Sequence, residues 1–112
     1  MKVKDIVEAL NLKVLSAPEG LDREVDNCYV SDLLSDVMGN AEANHAWVTI
    51  QTHKNVAAIA SLKELSCVIN VKGFTASEDT LAQSNEDGIP FLSTDMETFE
   101  IVGRLYNLFH QK

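Results

Sequence analysis

The sequence is short of positive charge. It has 9 Lys and Arg against 17 Asp and Glu, a formal net charge of −8 over 112 residues. Neutralising a nucleic-acid backbone takes clustered Lys and Arg. No basic stripe occurs, so nucleic acid is excluded as a general partner. The same shortage excludes docking on an anionic membrane surface. It leaves room for one phosphorylated ligand, because the free N–H groups of a helix N-terminus bind phosphate locally. Long apolar runs are also missing. No stretch approaches the roughly 20 apolar residues of a membrane-spanning helix. The opening MKVKDIVEALNLKVL is broken by Asp5 and Glu8, so it does not read as a signal peptide.

Cysteine is scarce. Cys28 and Cys67 stand alone, with no CxxC and no Cys/His ligand spacing. No metal site or cofactor is expected from them. Two buried, reduced thiols fit a cytoplasmic protein. The catalytic signatures GxxxxGK[ST], GxGxxG and GxSxG are absent as well. P-loop phosphoryl transfer, a dinucleotide fingerprint and a hydrolase elbow are therefore unsupported. Of His45, His53 and His110, only His53 falls at a predicted strand end, and no His–Asp pair stands out. Asp32 and Asp36 lie one helical turn apart and read as a solvated helix face. The expectation is a chain without enzymatic activity of its own.

What the sequence does contain is an alternation of elements. Val3, Ile6, Val7 and Leu10 form one apolar face of a helix over 3–10. LKVLSA reads as a short strand, and PEGLDREVDN as a polar surface loop. CYV, HAWVTIQ, CVINV and IPFLS read as further strands. Between them, helices are expected from residue 33 to Gly39-Asn40, through NVAAIASLKEL with Val56, Ile59, Ala60 and Leu62 inward, and from Thr75 to about 86. A last helix carries Phe99, Val102, Leu105, Tyr106 and Phe109 on one face. Thr75/Glu78 and Thr94/Glu97 have the spacing of capping boxes. Strands recur roughly every 20 residues, the length of one strand, one helix and two short loops. WVTI and CVINV lack strict alternation, as strands covered on both faces do. The fold class is α/β: one three-layer α/β/α domain over 1–112, with a largely parallel sheet of about five strands. The strand order is not legible, and the first strand could lie antiparallel at an edge.

In open α/β sheets, ligands bind beyond the carboxyl ends of the strands. That rule selects Ser31-Asp32, the segment 51–55, the segment 72–75, and Ser93-Thr94-Asp95. The candidate ligand-binding residues are Ser31, Asp32, Thr52, His53, Asn55, Gly73 and Thr94. Most have a plainer reading, and His53-Lys54-Asn55 could simply form a turn. Ser31 or Asp32, Asn55, Thr75 and Thr94 are natural helix caps, and Gly73 suits a positive φ or a close backbone approach.

The run CYVSDLLSDVMGNAEANHAWVTIQTHKNVAAIASLKELSCVINVKGF, followed by EDGIPFLSTD, resembles stand-alone DRTGG-domain proteins over roughly residues 12–110. The family pattern places Gly-Asp-Arg after one strand and Thr-Gly-Gly after the next. The corresponding places here are QTHKN and NVKGF, where Gly73 matches and the Asp-Arg pair is missing. Related domains resemble the N-terminal domain of HPr kinase/phosphorylase and a regulatory segment of long phosphotransacetylases. The resemblance implies a non-catalytic regulatory module that self-associates as a homodimer and senses a small phosphorylated ligand or nucleotide. Its alternative implication is an accessory protein of a hydrogenase-type redox system with no small ligand.

Overall fold

A computed structural model describes residues 1–111. Its elements are α1 (Val3–Leu10), β1 (Lys13–Val14), a 3-10 turn (Pro18–Asp22), β2 (Asn27–Val30), α2 (Leu34–Asn40), β3 (His45–Thr49), α3 (Lys54–Leu62), β4 (Cys67–Asn70), α4 (Glu78–Asp87), β5 (Phe91–Ser93) and α5 (Thr98–Phe109). The sheet order is β1-β5-β4-β3-β2. Strands β2 to β5 are parallel neighbours in chain order. Strand β1 pairs antiparallel with β5, Lys13 opposite Ser93, and so lies at an edge.

The architecture follows from which faces must be covered. Every residue of β3 and β4 is buried, which explains their unbroken apolar runs. On one face Trp47, Val68 and Phe91 pack with Val37 of α2, Val56 and Ala60 of α3, and Leu81 of α4. On the other, Val48, Ile69 and Leu92 pack with Val3 and Ile6 of α1 and Ile101 and Leu105 of α5. Burying each large side chain contributes roughly 1.5–3 kcal/mol, so both layers are needed. Helix α1 begins where the Lys2 N–H donates to Asp5 Oδ2 at 2.8 Å. It ends at Asn11, in the left-handed region with φ 53°. The α/β/α expectation holds, with five strands and five α-helices among the described residues.

Three local expectations are corrected. Helix α4 starts after Ser77 and α5 after Glu97, so neither Thr75 nor Thr94 caps a helix. Thr94 Oγ1 instead accepts from Met96 N at 3.2 Å, closing a tight turn before the helix. Phe99 and Tyr106 face solvent, 92% and 62% exposed, because Ile101 and Leu105 supply the inward stripe of α5. Leu62, at the last position of α3, is also exposed. Cys28 is half-buried and Cys67 buried, both free. Burial pushes the Cys28 thiol up to about 12 and raises Cys67 likewise, so neither is a ready thiolate.

Candidate functional site

The carboxyl edge of the sheet has two different ends. At the β2–β3 end the polar residues bond to one another. Asp32 Oδ1 accepts from Thr49 Oγ1 at 2.8 Å and from Ile50 N at 2.9 Å. Its main-chain carbonyl accepts from Gln51 Nε2 at 2.9 Å. Trp47 Nε1 donates to the Ser31 carbonyl at 2.8 Å, and Leu33 N donates to Ser31 Oγ at 3.1 Å. Asp32 therefore does not cap α2, whose N-cap position is Leu33. Donors from the end of the neighbouring strand occupy one oxygen of its carboxylate and tie the end of β2 to β3.

The next loop is likewise tied down. The Thr52 carbonyl accepts from Thr80 Oγ1 at 3.0 Å. His53 occupies the N-cap position of α3 without a side-chain bond, so Asn55 falls inside the helix rather than capping it. Both side chains are exposed. Nearby, Asp36 accepts from Tyr29 Oη at 2.7 Å. That bond holds its carboxyl below the usual carboxylate range.

At the β4–β5 end the connections part. Helix α4 packs on the Trp47 face, while α5 crosses to the Val48 face. Loops leaving adjacent strands toward opposite faces open a crevice between them, the topological switch point of an open α/β sheet. A crevice of about 480 Å³ lies there. It is lined by Leu10, Asn11 and Lys13 from the first arm, Gly73 and Thr75 after β4, and Ser93 to Met96 after β5.

Its floor is pre-organised. Lys72 and Gly73, with φ 59° and 77°, form a tight turn, closed by Phe74 N donating to the Val71 carbonyl at 3.1 Å. Two positive φ values in succession are the signature of a type I′ turn. Lys72 N then donates to the Met96 carbonyl, Gly73 N to the Thr94 carbonyl, and Thr94 N to the Asn70 carbonyl, each at 3.0 Å. The Asp95 carboxylate hangs over the turn, with Oδ1 3.3 Å from where a Cβ on Gly73 would stand. Asn70 sits between the two ends of the edge, fully buried. Its Nδ2 donates to the Thr49 and Gln51 carbonyls at 3.3 and 3.0 Å, while Oδ1 has no partner.

Of the seven residues selected from sequence, Gly73 and Thr94 line the crevice. Ser31, Asp32, Thr52, His53 and Asn55 lie outside it. Asn11, Lys13 and Met96 line it without having been selected. An Asn closing a helix is a readable stop signal, but only the β1–β5 pairing carries Lys13 to the site. Among the described residues no group of three or more His, Cys, Asp or Glu could hold a metal ion. The crevice offers one ammonium, one carboxylate, three hydroxyls and one amide, a set suited to holding a polar molecule.

The DRTGG domain family model matches residues 5–108. The chain belongs to the DRTGG domain family. HPr kinase/phosphorylase from Bacillus cereus (strain G9842) is 23% identical over 129 aligned residues, covering all of this chain and 41% of that enzyme. A solved structure of the CBS and DRTGG domains of the regulatory region of Clostridium perfringens pyrophosphatase, complexed with its activator diadenosine tetraphosphate, shares the fold. The TM-score is 0.70 at 12% identity, over 91% of this chain and 44% of that one. This DRTGG chain thus spans less than half the length of either protein. No helix among its described residues is long and apolar enough to cross a membrane.

Proposed function

We propose that this DRTGG chain is a non-catalytic regulatory domain, one unit over residues 1–112, that senses a small phosphorylated ligand or nucleotide. The carboxyl edge holds the ligand, centred on Gly73 and Thr94 in the crevice between β4 and β5. The observation that carries this reading is the parting of the β4 and β5 connections over a cross-tied polar floor. The Clostridium perfringens regulatory region, which shares this fold over 44% of its solved chain, is complexed with a nucleotide activator, and that supports a regulatory, ligand-sensing role. The domain works in the cytoplasm as a homodimer.

The test is a thermal-melt screen of the purified chain against nucleotides, acyl phosphates and other phosphorylated metabolites. A ligand selective for the folded state stabilises it by about 2.7 kcal/mol at a hundred times its dissociation constant. A saturable rise in melting temperature is expected from at least one of them. Silence across the panel would remove the sensor reading.

One observation favours a second reading. Phe99 and Tyr106 on α5 are exposed, and Tyr106 borders a shallow cavity shared with Val30 of the edge strand β2. Exposed apolar patches mark interaction surfaces. In this reading the domain is an assembly module of a hydrogenase-type redox complex and needs no small ligand. A stable partner retained by the wild-type chain and lost with Phe99→Ser and Tyr106→Ser, without any ligand-dependent melting shift, would favour it.

A further inference from the structure

The layout of charge in the β4–β5 crevice selects among phosphorylated ligands, a deduction that rests on the sensor reading above. Lys13 is the one cation and Asp95 the one carboxylate among the lining residues. Lys72, in the turn beside the crevice but not among its lining residues, lies 3.9 Å from Glu97 in an exposed pair. The chain as a whole carries −8. Helix α1 also ends at the crevice, with Leu10 and Asn11 in its wall. The last carbonyls of a helix carry the negative end of its dipole. A single lining ammonium therefore meets a single phosphate, and a second phosphate would lie near a carboxylate or helix-terminal carbonyls with no further lining cation to balance it.

The groups that repel a second phosphate are good acceptors for hydroxyl protons. An ionised carboxylate only accepts, and its two oxygens can take two neighbouring hydroxyls. Asp95 is exposed at the rim, its Oδ1 3.3 Å from where a Cβ on residue 73 would stand. Ser93, Thr94 and Thr75 add hydroxyls that donate or accept as the ligand requires. Ser93 is also the register partner of Asn70, whose buried Oδ1 still lacks a donor.

We propose that the crevice takes a phosphate monoester bearing neighbouring hydroxyls, with its phosphate on Lys13 and its hydroxyls on Asp95, and that it rejects di- and polyphosphates. Nucleoside 5′-monophosphates and sugar monophosphates share this chemistry. Their relative affinities identify the source.

The experiment is an NMR titration of the isotope-labelled full chain in metal-free buffer. The probes are AMP, ribose 5-phosphate, their 2-deoxy analogues, ADP, ATP and inorganic phosphate. Saturable shifts centred on Gly73 and residues 93–96 are expected with AMP or ribose 5-phosphate. ADP and ATP should bind about tenfold more weakly or worse, a factor equivalent to 1.4 kcal/mol. The deoxy analogue of the better probe should lose several-fold. Lys13→Met should weaken the monoester about tenfold. Asp95→Asn should narrow the preference over ADP, a change that loss of folding would not produce. ATP binding in the crevice as tightly as AMP would overturn the proposal and leave the sensor reading standing. So would a monoester that leaves Gly73 and residues 93–96 unmoved at about 10 mM. The sensor reading itself falls only if the wider melt screen is silent too.

Discussion

Ser31-Asp32 after β2 and Thr94-Asp95 after β5 are near-copies in sequence, and the structure uses them differently. Both begin alike. Ser31 Oγ accepts from Leu33 N, and Thr94 Oγ1 accepts from Met96 N, the same two-residue turn. They diverge at the aspartate. Asp32 sits beside β3, whose end presents the Thr49 hydroxyl and the Ile50 N–H, and both donate to it. Asp95 has no such neighbour, because the chain after β5 crosses to the opposite face and its carboxylate is left over the Gly73 turn. One dipeptide is a strand clamp and the other borders an open crevice. Topology decides which.

The comparison can be broken from several sides, the strongest being Asn70, which joins the two ends. Asn70→Ala removes donors to the Thr49 and Gln51 carbonyls from a fully buried position. It should lower stability by about 2–3 kcal/mol in urea unfolding and disturb ligand response at the other end. Asp32→Ala should cost about 1.5 kcal/mol, less than a buried charge-assisted pair because the carboxylate is partly solvated. Its ligand-induced melting shift should remain. Gly73→Ala forces a Cβ onto a φ of 77° and against Asp95 Oδ1. About 1 kcal/mol of stability should go, and ligand response with it. Thr75→Val, at an exposed position, should change stability by under about 0.5 kcal/mol while weakening the ligand. If Asp32→Ala abolished ligand response and Thr75→Val spared it, the two ends would have exchanged roles.

The smallest effect is in acid. The Tyr29 hydroxyl lowers the Asp36 carboxyl, and the Ser77 hydroxyl lowers Asp79, each below the ordinary value of 3.8. A carboxyl depressed by folding stabilises the folded state above that value. The contribution disappears as pH falls through the folded pKa. Asp36→Asn should therefore lose less stability than wild type as pH falls below the ordinary carboxylate value of 3.8, measured by urea midpoints. An unchanged acid slope would show that the Tyr29 bond does not persist in solution.

Much of the fold was legible because periodicity encodes it. The α1 stripe, the buried runs of β3 and β4, and the end of α4 near residue 86 all sit where the pattern places them. Caps were less legible. Thr75 and Thr94 have the right spacing to Glu78 and Glu97, yet the loops first spend residues on tight turns, so the helices begin later. Helix α5 is apolar around much of its circumference: Ile101, Val102, Leu105 and Phe109 pack on the core while Phe99 and Tyr106 do not, and nothing in their spacing separates the two sets. The site was half legible. The strand-end rule reaches Gly73, Ser93 and Thr94, but Lys13 and Asn11 arrive through an antiparallel pairing that local sequence does not encode. Which strand ends splay apart depends on strand order, and strand order is a property of the whole chain.

The most direct test of the crevice as the ligand site compares one saturating ligand across two variants from opposite ends of the edge. Asn55→Ala, at the exposed start of α3, should keep the full melting shift of the wild type. Thr94→Val, in the crevice wall, should lose most of it. A full shift in Thr94→Val with a lost shift in Asn55→Ala would contradict the assignment and return the site to the β2–β3 end.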